Sequence, residues 1–105
     1  MILITGCAGF IGFHLARALA AVGYQVFGVD NLNDYYSVSL KKSRLRASGF
    51  NLQTDHLSDE LTSSLYSNYR FQGLDLAQRE QTDMFFSRHQ FDVIFHLAAQ
   101  AGVRY

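Results

Sequence analysis

The sequence has no proline and no tryptophan, and its 105 residues include one cysteine, Cys7. Without proline, and without low-complexity tracts, there is no segment to assign as a linker between domains. A single cysteine cannot form an internal disulfide, so nothing calls for an oxidising compartment, and we expect a cytoplasmic protein. Residues 1–4 are too short for a signal peptide, and no stretch approaches the roughly 20 apolar residues of a membrane span.

Charge of either sign is also scarce. Lysine and arginine number 9, aspartate and glutamate number 9, and the formal net charge is zero, so we expect neither a nucleic-acid nor a membrane partner. The one basic cluster, Lys41, Lys42, Arg44 and Arg46, has the spacing of a solvated helix face. Apolar residues make up 49% of the chain, which is typical of a globular protein, and the length is sufficient for one domain with a modest core.

Apolar runs and amphipathic segments alternate along the chain. They predict four strands and three helices, with strands at 2–4, 25–29, 69–74 and 92–97 and helices at 10–22, 37–46 and 79–88. Residues 50–68 are interpreted as an irregular excursion with at most one helical turn at 60–65. Short joins between strand and helix imply parallel pairing through right-handed crossovers. The sequence therefore predicts an α/β, Rossmann-type, doubly wound parallel sheet, truncated to about four strands in the order 3-2-1-4.

Helical periodicity also predicts which side chains face the sheet. In the first helix these are Ile11, Leu15, Leu19 and Val22, which recur three or four residues apart. In the last helix they are Met84 and Phe85.

Three glycines join the first strand to the first helix at G-x-x-G-x-x-G spacing. Gly6 permits a tight turn, Gly9 lets the backbone approach a pyrophosphate, and Gly12 allows close packing of helix and strand. The unpaired N–H groups at the helix start would face the phosphates. By itself the pattern fits simple turn and packing glycines equally well.

Asp30 changes the interpretation of these glycines. It ends the second strand about 20 residues after the glycine loop, which is where a dinucleotide-binding fold holds the adenosine ribose. A carboxylate there accepts hydrogen bonds from the ribose hydroxyls and repels a 2′-phosphate, so NAD is favoured over NADP.

Cys7 lies in the glycine loop, where a helix N-terminus could lower the pKa of a thiol. Because no base can be placed beside it, we interpret Cys7 as a small residue filling the turn.

Three segments resemble one known family. Residues 5–12 read TGCAGFIG, residues 30–36 read DNLNDYY and residues 96–105 read HLAAQAGVRY. In this order they resemble the extended short-chain dehydrogenase/reductases and, among these, the NAD-dependent nucleotide-sugar epimerases. The last two segments are closest to the UDP-glucuronate 4-epimerases. In these proteins the position of Cys7 usually holds another small residue.

The resemblance implies a cofactor contact for each matching residue. Those implied at the pyrophosphate are Gly6, Gly9, Phe10, Ile11 and Gly12. Those implied at the adenosine ribose are Asp30, Asn31 and Asn33, with Asp75 and Leu76 beside the adenine. Those implied along the cofactor toward its nicotinamide are Leu97, Ala98, Ala99 and Gln100.

The family's catalytic residues are missing. The resemblance implies transient oxidation of the sugar at C4 by NAD, with a Tyr-x-x-x-Lys pair handling the hydroxyl proton. No tyrosine in these 105 residues is followed by lysine at the fourth position. We therefore predict that residues 1–105 form a partial NAD-binding Rossmann domain. It should lack catalytic residues and be inactive alone. We expect it to bind a nucleotide-sugar only if the missing C-terminal part is supplied.

The four histidines are scattered and show no metal-ligand spacing, so we predict no metal site, and we interpret His96 as a structural residue.

Two other functions stay open. A half-fold with an exposed fourth-strand edge could serve as an assembly module that associates through that edge, either with another copy as a homo-oligomer or with a separate remainder of the enzyme. Alternatively, the chain could belong to an NAD-dependent sugar-nucleotide dehydratase or reductase of the same family.

Overall fold

A computed structural model describes residues 1–32, 38–52 and 59–98. The elements in chain order are β1 (Ile2–Thr5), α1 (Phe10–Ala21), β2 (Val26–Asp30), α2 (Val38–Ala47), β3 (Leu61–Thr62), β4 (Tyr69–Gly73), α3 (Arg79–Arg88) and β5 (Val93–His96). Except for β3, the predicted bounds agree to within one residue at each end. Within the described ranges, no helix has the length and apolar character needed to cross a membrane.

The strands form one sheet in the order β3-β4-β2-β1-β5. β4, β2, β1 and β5 are mutually parallel neighbours, so the predicted Rossmann order 3-2-1-4 is confirmed. β1 lies between β2 and β5, with Leu3 opposite Phe27 on one side and Ile94 on the other. The carboxyl ends of all four parallel strands therefore meet at one edge of the sheet.

The fifth strand corrects the prediction of about four. β3 pairs antiparallel with β4, so the sheet is mixed, and the expected helical turn at 60–65 is wrong. Ser63 holds this segment in place, since its hydroxyl donates to the carbonyl of Ser48 at 2.5 Å and accepts from the N–H groups of Leu65 and Tyr66. A two-residue strand fixed by such bonds has no periodicity for sequence reasoning to detect.

Each face of the sheet is covered by helices. One apolar cluster contains Ile4 of β1 with Ala16 of α1 and Leu45 of α2. The other contains Leu3 of β1 with Phe85 of α3. Because successive strand residues point to opposite faces, adjacent residues of β1 belong to different clusters, and the doubly wound prediction is confirmed.

The inward faces of the helices differ from those predicted. α1 buries Gly12, Ala16 and Ala20, whereas Ile11 and Val22 are 65% and 72% exposed. Small side chains four residues apart let the helix lie close to the sheet, and this displaces the larger ones to its flanks, where Leu15 and Leu19 are half-buried. In α3, Phe85 is buried as predicted, but Met84 is exposed.

Candidate cofactor site

A cavity of about 880 Å³ lies at the carboxyl ends of β1, β2, β4 and β5. Its volume falls within the range of pockets that bind small molecules and cofactors. In doubly wound sheets this edge is also where ligands bind. The fold therefore places a cleft of cofactor size where the glycine loop and Asp30 were expected to converge.

Every predicted cofactor residue that the structure describes lines this cavity. These residues are Gly6, Gly9, Phe10, Ile11, Gly12, Asp30, Asn31, Asp75, Leu76, Leu97 and Ala98. Asn33, Ala99 and Gln100 lie outside the described residues. The structure thus brings the described set together, and the contact of each residue with a cofactor stays a prediction.

The three glycines of the loop have different structural roles. Gly6 has a φ of +77°, a conformation that favours glycine. A Cβ on Gly12 would lie 2.1 Å from the carbonyl oxygen of Gly6, so α1 could not start this close to the loop. A Cβ on Gly9 would meet only that same oxygen, at 3.3 Å, and Gly9 lines the cavity. Gly6 and Gly12 therefore shape the loop, and Gly9 leaves room for a ligand.

The start of α1 presents free backbone donors. Among the described residues, the N–H groups of Phe10, Ile11 and Gly12 have no hydrogen-bond acceptor, and no side chain caps the helix. The first N–H groups of a helix carry partial positive charge and bind anions. Together with the open space beside Gly9, these donors fit the pyrophosphate of a dinucleotide.

Asp30 lies beside the glycine loop, as a dinucleotide site requires. It is only 4% exposed. Its Oδ2 accepts a hydrogen bond from the N–H of Ala8 at 3.1 Å, and its Oδ1 accepts from the N–H of Leu32 at 2.8 Å and from Lys41 Nζ at 3.2 Å. Each carboxylate oxygen has two acceptor sites. Oδ2 therefore keeps one for a ribose hydroxyl, and most of the carboxylate's capacity serves the protein.

Two basic residues of α2 also line the cavity, which corrects the interpretation of the basic cluster. Lys41 is 6% exposed and pairs with Asp30, and Arg44 Nη1 donates to the carbonyl of Ala8 at 3.1 Å. Of the cluster only Arg46 is exposed, since Lys42 and Arg44 are half-buried. The available signal was the four-residue step from Lys41 to Leu45, a core residue on the same helix face.

The peptide groups of Ala8 are held from both sides. Asp30 of β2 accepts its N–H and Arg44 of α2 donates to its C=O. The middle of the glycine loop is therefore fixed by the protein alone, and a ligand would meet donors that are already in position.

Thr5 organises the opposite wall. Its Oγ1 accepts the N–H groups of Leu97 at 3.0 Å and Ala98 at 3.2 Å, and lies 2.7 Å from His96 Nδ1. This contact is consistent with a structural His96, and Thr5, a residue that sequence reasoning missed, positions Leu97 and Ala98 along the cavity.

The remaining candidates for chemistry do not form a second site. Cys7 is 1% exposed, and burial, reinforced by the charge of Asp30, raises the pKa of its thiol well above the usual 9.0. The thiol is therefore protonated and inaccessible, which agrees with its interpretation as a packing residue. Among residues 1–32, 38–52 and 59–98, no three histidine, cysteine or acidic side chains cluster as metal ligands would.

The fold and this cleft define a Rossmann-type dinucleotide-binding unit. The family described as the NAD-dependent epimerase/dehydratase family matches residues 2–105, and the chain belongs to that family. Its cofactor is NAD, as predicted from the glycine loop and Asp30. The resemblance to nucleotide-sugar epimerases that three segments suggested is also confirmed by the relatives.

The chain is 44% identical over 104 residues to protein CapI of Staphylococcus aureus, covering 99% of this chain and 26% of CapI. It is 38% identical over 102 residues to a UDP-glucuronate 4-epimerase of Thermodesulfobacterium geofontis, covering 97% and 27%. Among solved structures it resembles the UDP-glucose 4-epimerase of Thermotoga maritima with UDP-glucose, with a TM-score of 0.62, 33% identity and coverage of 95% and 24%. The chain thus spans about a quarter of the length of these relatives.

Proposed function

We propose that these residues are the NAD-binding part of a nucleotide-sugar 4-epimerase of the UDP-glucuronate 4-epimerase type. The observation that carries the proposal is that free N–H groups of α1 and the carboxylate of Asp30 line the same cavity. Family membership and a 38% identical UDP-glucuronate 4-epimerase support it. In this proposal residues 1–105 form a partial Rossmann domain, and sequence outside them supplies the sugar site.

Each wall of the cavity has a role in this proposal. The N–H groups of Phe10, Ile11 and Gly12 hold the pyrophosphate, while Asp30 accepts one adenosine ribose hydroxyl. Leu97 and Ala98, fixed by Thr5, form the wall that leads toward the nicotinamide. When bound, NAD supplies a hydride acceptor and donor for C4 of the sugar. The proton-transfer groups come from outside these 105 residues, because no Tyr-x-x-x-Lys pair occurs within them.

Calorimetric titration tests the proposal directly. We expect saturable binding of both NAD and ADP-ribose, with dissociation constants within about tenfold of one another, because the described contacts involve the ADP half of the cofactor. We expect no conversion of UDP-glucuronate by these residues alone. Folded protein that gives no heat with either ligand would contradict the proposed function. Turnover of UDP-glucuronate would contradict the proposal that the proton-transfer groups lie outside these 105 residues.

A second function, assembly through the sheet edge, is favoured by β5. Parallel strands are normally buried on both faces, yet Val93, Ile94 and Phe95 are 44%, 51% and 37% exposed. β5 pairs with β1 on one side, and within the described ranges no strand pairs with its other side. Exposed apolar edges of this kind favour edge-to-edge pairing. We propose that a second copy pairs there.

Light scattering over a concentration series tests this assembly. We expect the measured mass to rise with concentration, and Ile94→Lys to hold the protein monomeric because a charge on an edge strand opposes pairing. Val22→Lys is the matched control, since Val22 is an exposed apolar residue at the C-cap of α1 and belongs to no strand. A constant monomer mass at high concentration would exclude assembly through β5.

A further inference from the structure

Asp30 is not the only charged residue at the adenosine end of the cavity. Lys41 Nζ lies 3.2 Å from Asp30 Oδ1, and Arg44 follows one turn later on α2. Both basic residues line the cavity together with Asp30. Among the described lining residues the other acidic one is Asp75, after β4, whose Oδ1 accepts a hydrogen bond from the N–H of Ala77.

These charges alter the usual account of NAD preference. A lone carboxylate repels the 2′-phosphate of NADP, whereas a nearby cation accommodates it. Here the carboxylate and a cation form one buried pair, so the repulsion is partly offset and the cation is held by Asp30. Arg44 uses one of its five N–H donors on Ala8, which leaves the guanidinium able to serve a second acceptor.

We propose that Lys41 and Arg44 form a latent 2′-phosphate site that Asp30 masks, and that Lys41 is the residue on which discrimination between NAD and NADP depends. The proposal rests on the proposed function, because it places the adenosine ribose beside Asp30. When the charge of Asp30 is removed, Lys41 loses the carboxylate that holds it at 3.2 Å, and its ammonium group turns to a phosphate in the cavity. The Asp30–Lys41 pair, and not the carboxylate alone, thereby determines the preference for NAD over NADP.

Binding of ADP-ribose and 2′-phospho-ADP-ribose to four proteins tests this inference. The proteins are the wild type, Asp30→Asn, Asp30→Asn with Lys41→Met, and Asp30→Asn with Lys42→Met. The asparagine oxygen can still accept the N–H of Ala8, which preserves the loop. Lys42→Met is the matched control, because Lys42 is the next residue of the same helix and does not line the cavity.

We expect Asp30→Asn to bind 2′-phospho-ADP-ribose at least about tenfold more tightly than the wild type does, which is the size of one charge-assisted hydrogen bond. The gain should disappear with Lys41→Met, persist with Lys42→Met, and shrink as salt concentration rises. If Asp30→Asn does not fold, Asp30→Ser repeats the test, since it also removes the charge and keeps a polar side chain.

Two results would overturn the inference. A gain that survives Lys41→Met would show that loss of repulsion is sufficient, and the absence of any gain in folded Asp30→Asn and Asp30→Ser would show that there is no latent site. Failure of the wild type to bind ADP-ribose is a separate outcome, because it removes the proposed function and this inference with it. Circular dichroism melts of every variant confirm that each protein is folded.

Discussion

Replacing Gly12 with alanine is expected to abolish NAD binding and to lower the free energy of unfolding by about 3 kcal/mol, because overpacking a tight contact costs that much. The new Cβ would lie 2.1 Å from the oxygen of Gly6, 2.9 Å from its carbonyl carbon and 3.0 Å from Cα of Cys7. All three atoms belong to the backbone, so no side chain can rotate away. α1 must then move off the loop, which displaces the N–H groups that face the cavity.

Gly9→Ala is the matched comparison, since it adds the same methyl group three residues earlier. Gly9 has φ −75° and ψ 170°, a conformation open to alanine, and the added Cβ would meet only the oxygen of Gly6, at 3.3 Å. We expect a stability change below about 1 kcal/mol but at least about tenfold weaker NAD binding, because the methyl group takes space meant for the pyrophosphate.

Urea unfolding and calorimetry on the two variants separate the structural role from the ligand role. Gly12→Ala should lose stability in urea and show no NAD binding in calorimetry. Gly9→Ala should keep its stability and show only weaker NAD binding. Wild-type affinity for NAD in Gly9→Ala would mean that the pyrophosphate does not lie against the loop. Equal stability of the two variants would mean that the helix tolerates a Cβ at residue 12.

The order of strands and helices could be predicted from the sequence because each parallel strand is a short apolar run. Each helix that follows a strand shows instead the three-to-four-residue spacing of apolar side chains. Gly6 follows the end of β1 and Asp30 ends β2, so topology alone brings them to one edge of the sheet. The described residues that the family resemblance marked as cofactor contacts line one cavity for the same reason.

The errors arise where tertiary contacts override local pattern. Ile11 and Val22 fit the apolar period of α1, yet its close approach to the sheet depends on Gly12, Ala16 and Ala20, whose small size hydropathy does not weigh. Likewise, β3 depends on hydrogen bonds from distant residues. Side-chain size therefore determines which face of α1 is buried, and long-range hydrogen bonds determine where β3 forms. Hydrophobic periodicity reports neither.

Lys41 was misassigned for a related reason. Charge patterning treats a cluster of lysine and arginine as solvated, because burying an isolated ammonium is costly. The cost falls when a carboxylate is fixed opposite, and here that carboxylate is Asp30 of β2, 11 residues earlier in the chain. Nothing local to α2 signals this partner, except that Lys41 is one turn from the buried Leu45.

Lys41→Met is therefore expected to lower the free energy of unfolding by about 3 kcal/mol, near the lower limit for breaking a buried ion pair. Asp30 is 4% exposed and would lose its cation, but it would keep the N–H groups of Ala8 and Leu32 as donors, which limits the loss. Lys42→Met, the neighbouring control, should change stability by less than about 1 kcal/mol, because half-buried Lys42 lies outside the cavity and no ion pair with it is found among the described residues.

Combining Lys41→Met with Asp30→Asn measures the pair itself. Because the double variant has no buried charge left unpaired, its loss of stability should be smaller than the sum of the two single losses by at least about 1 kcal/mol. Strictly additive losses in urea unfolding would mean that the two side chains act independently. Since Asp30 also holds the N–H of Ala8, a coupled result would show that α2 stabilises the glycine loop through a charge on the neighbouring strand.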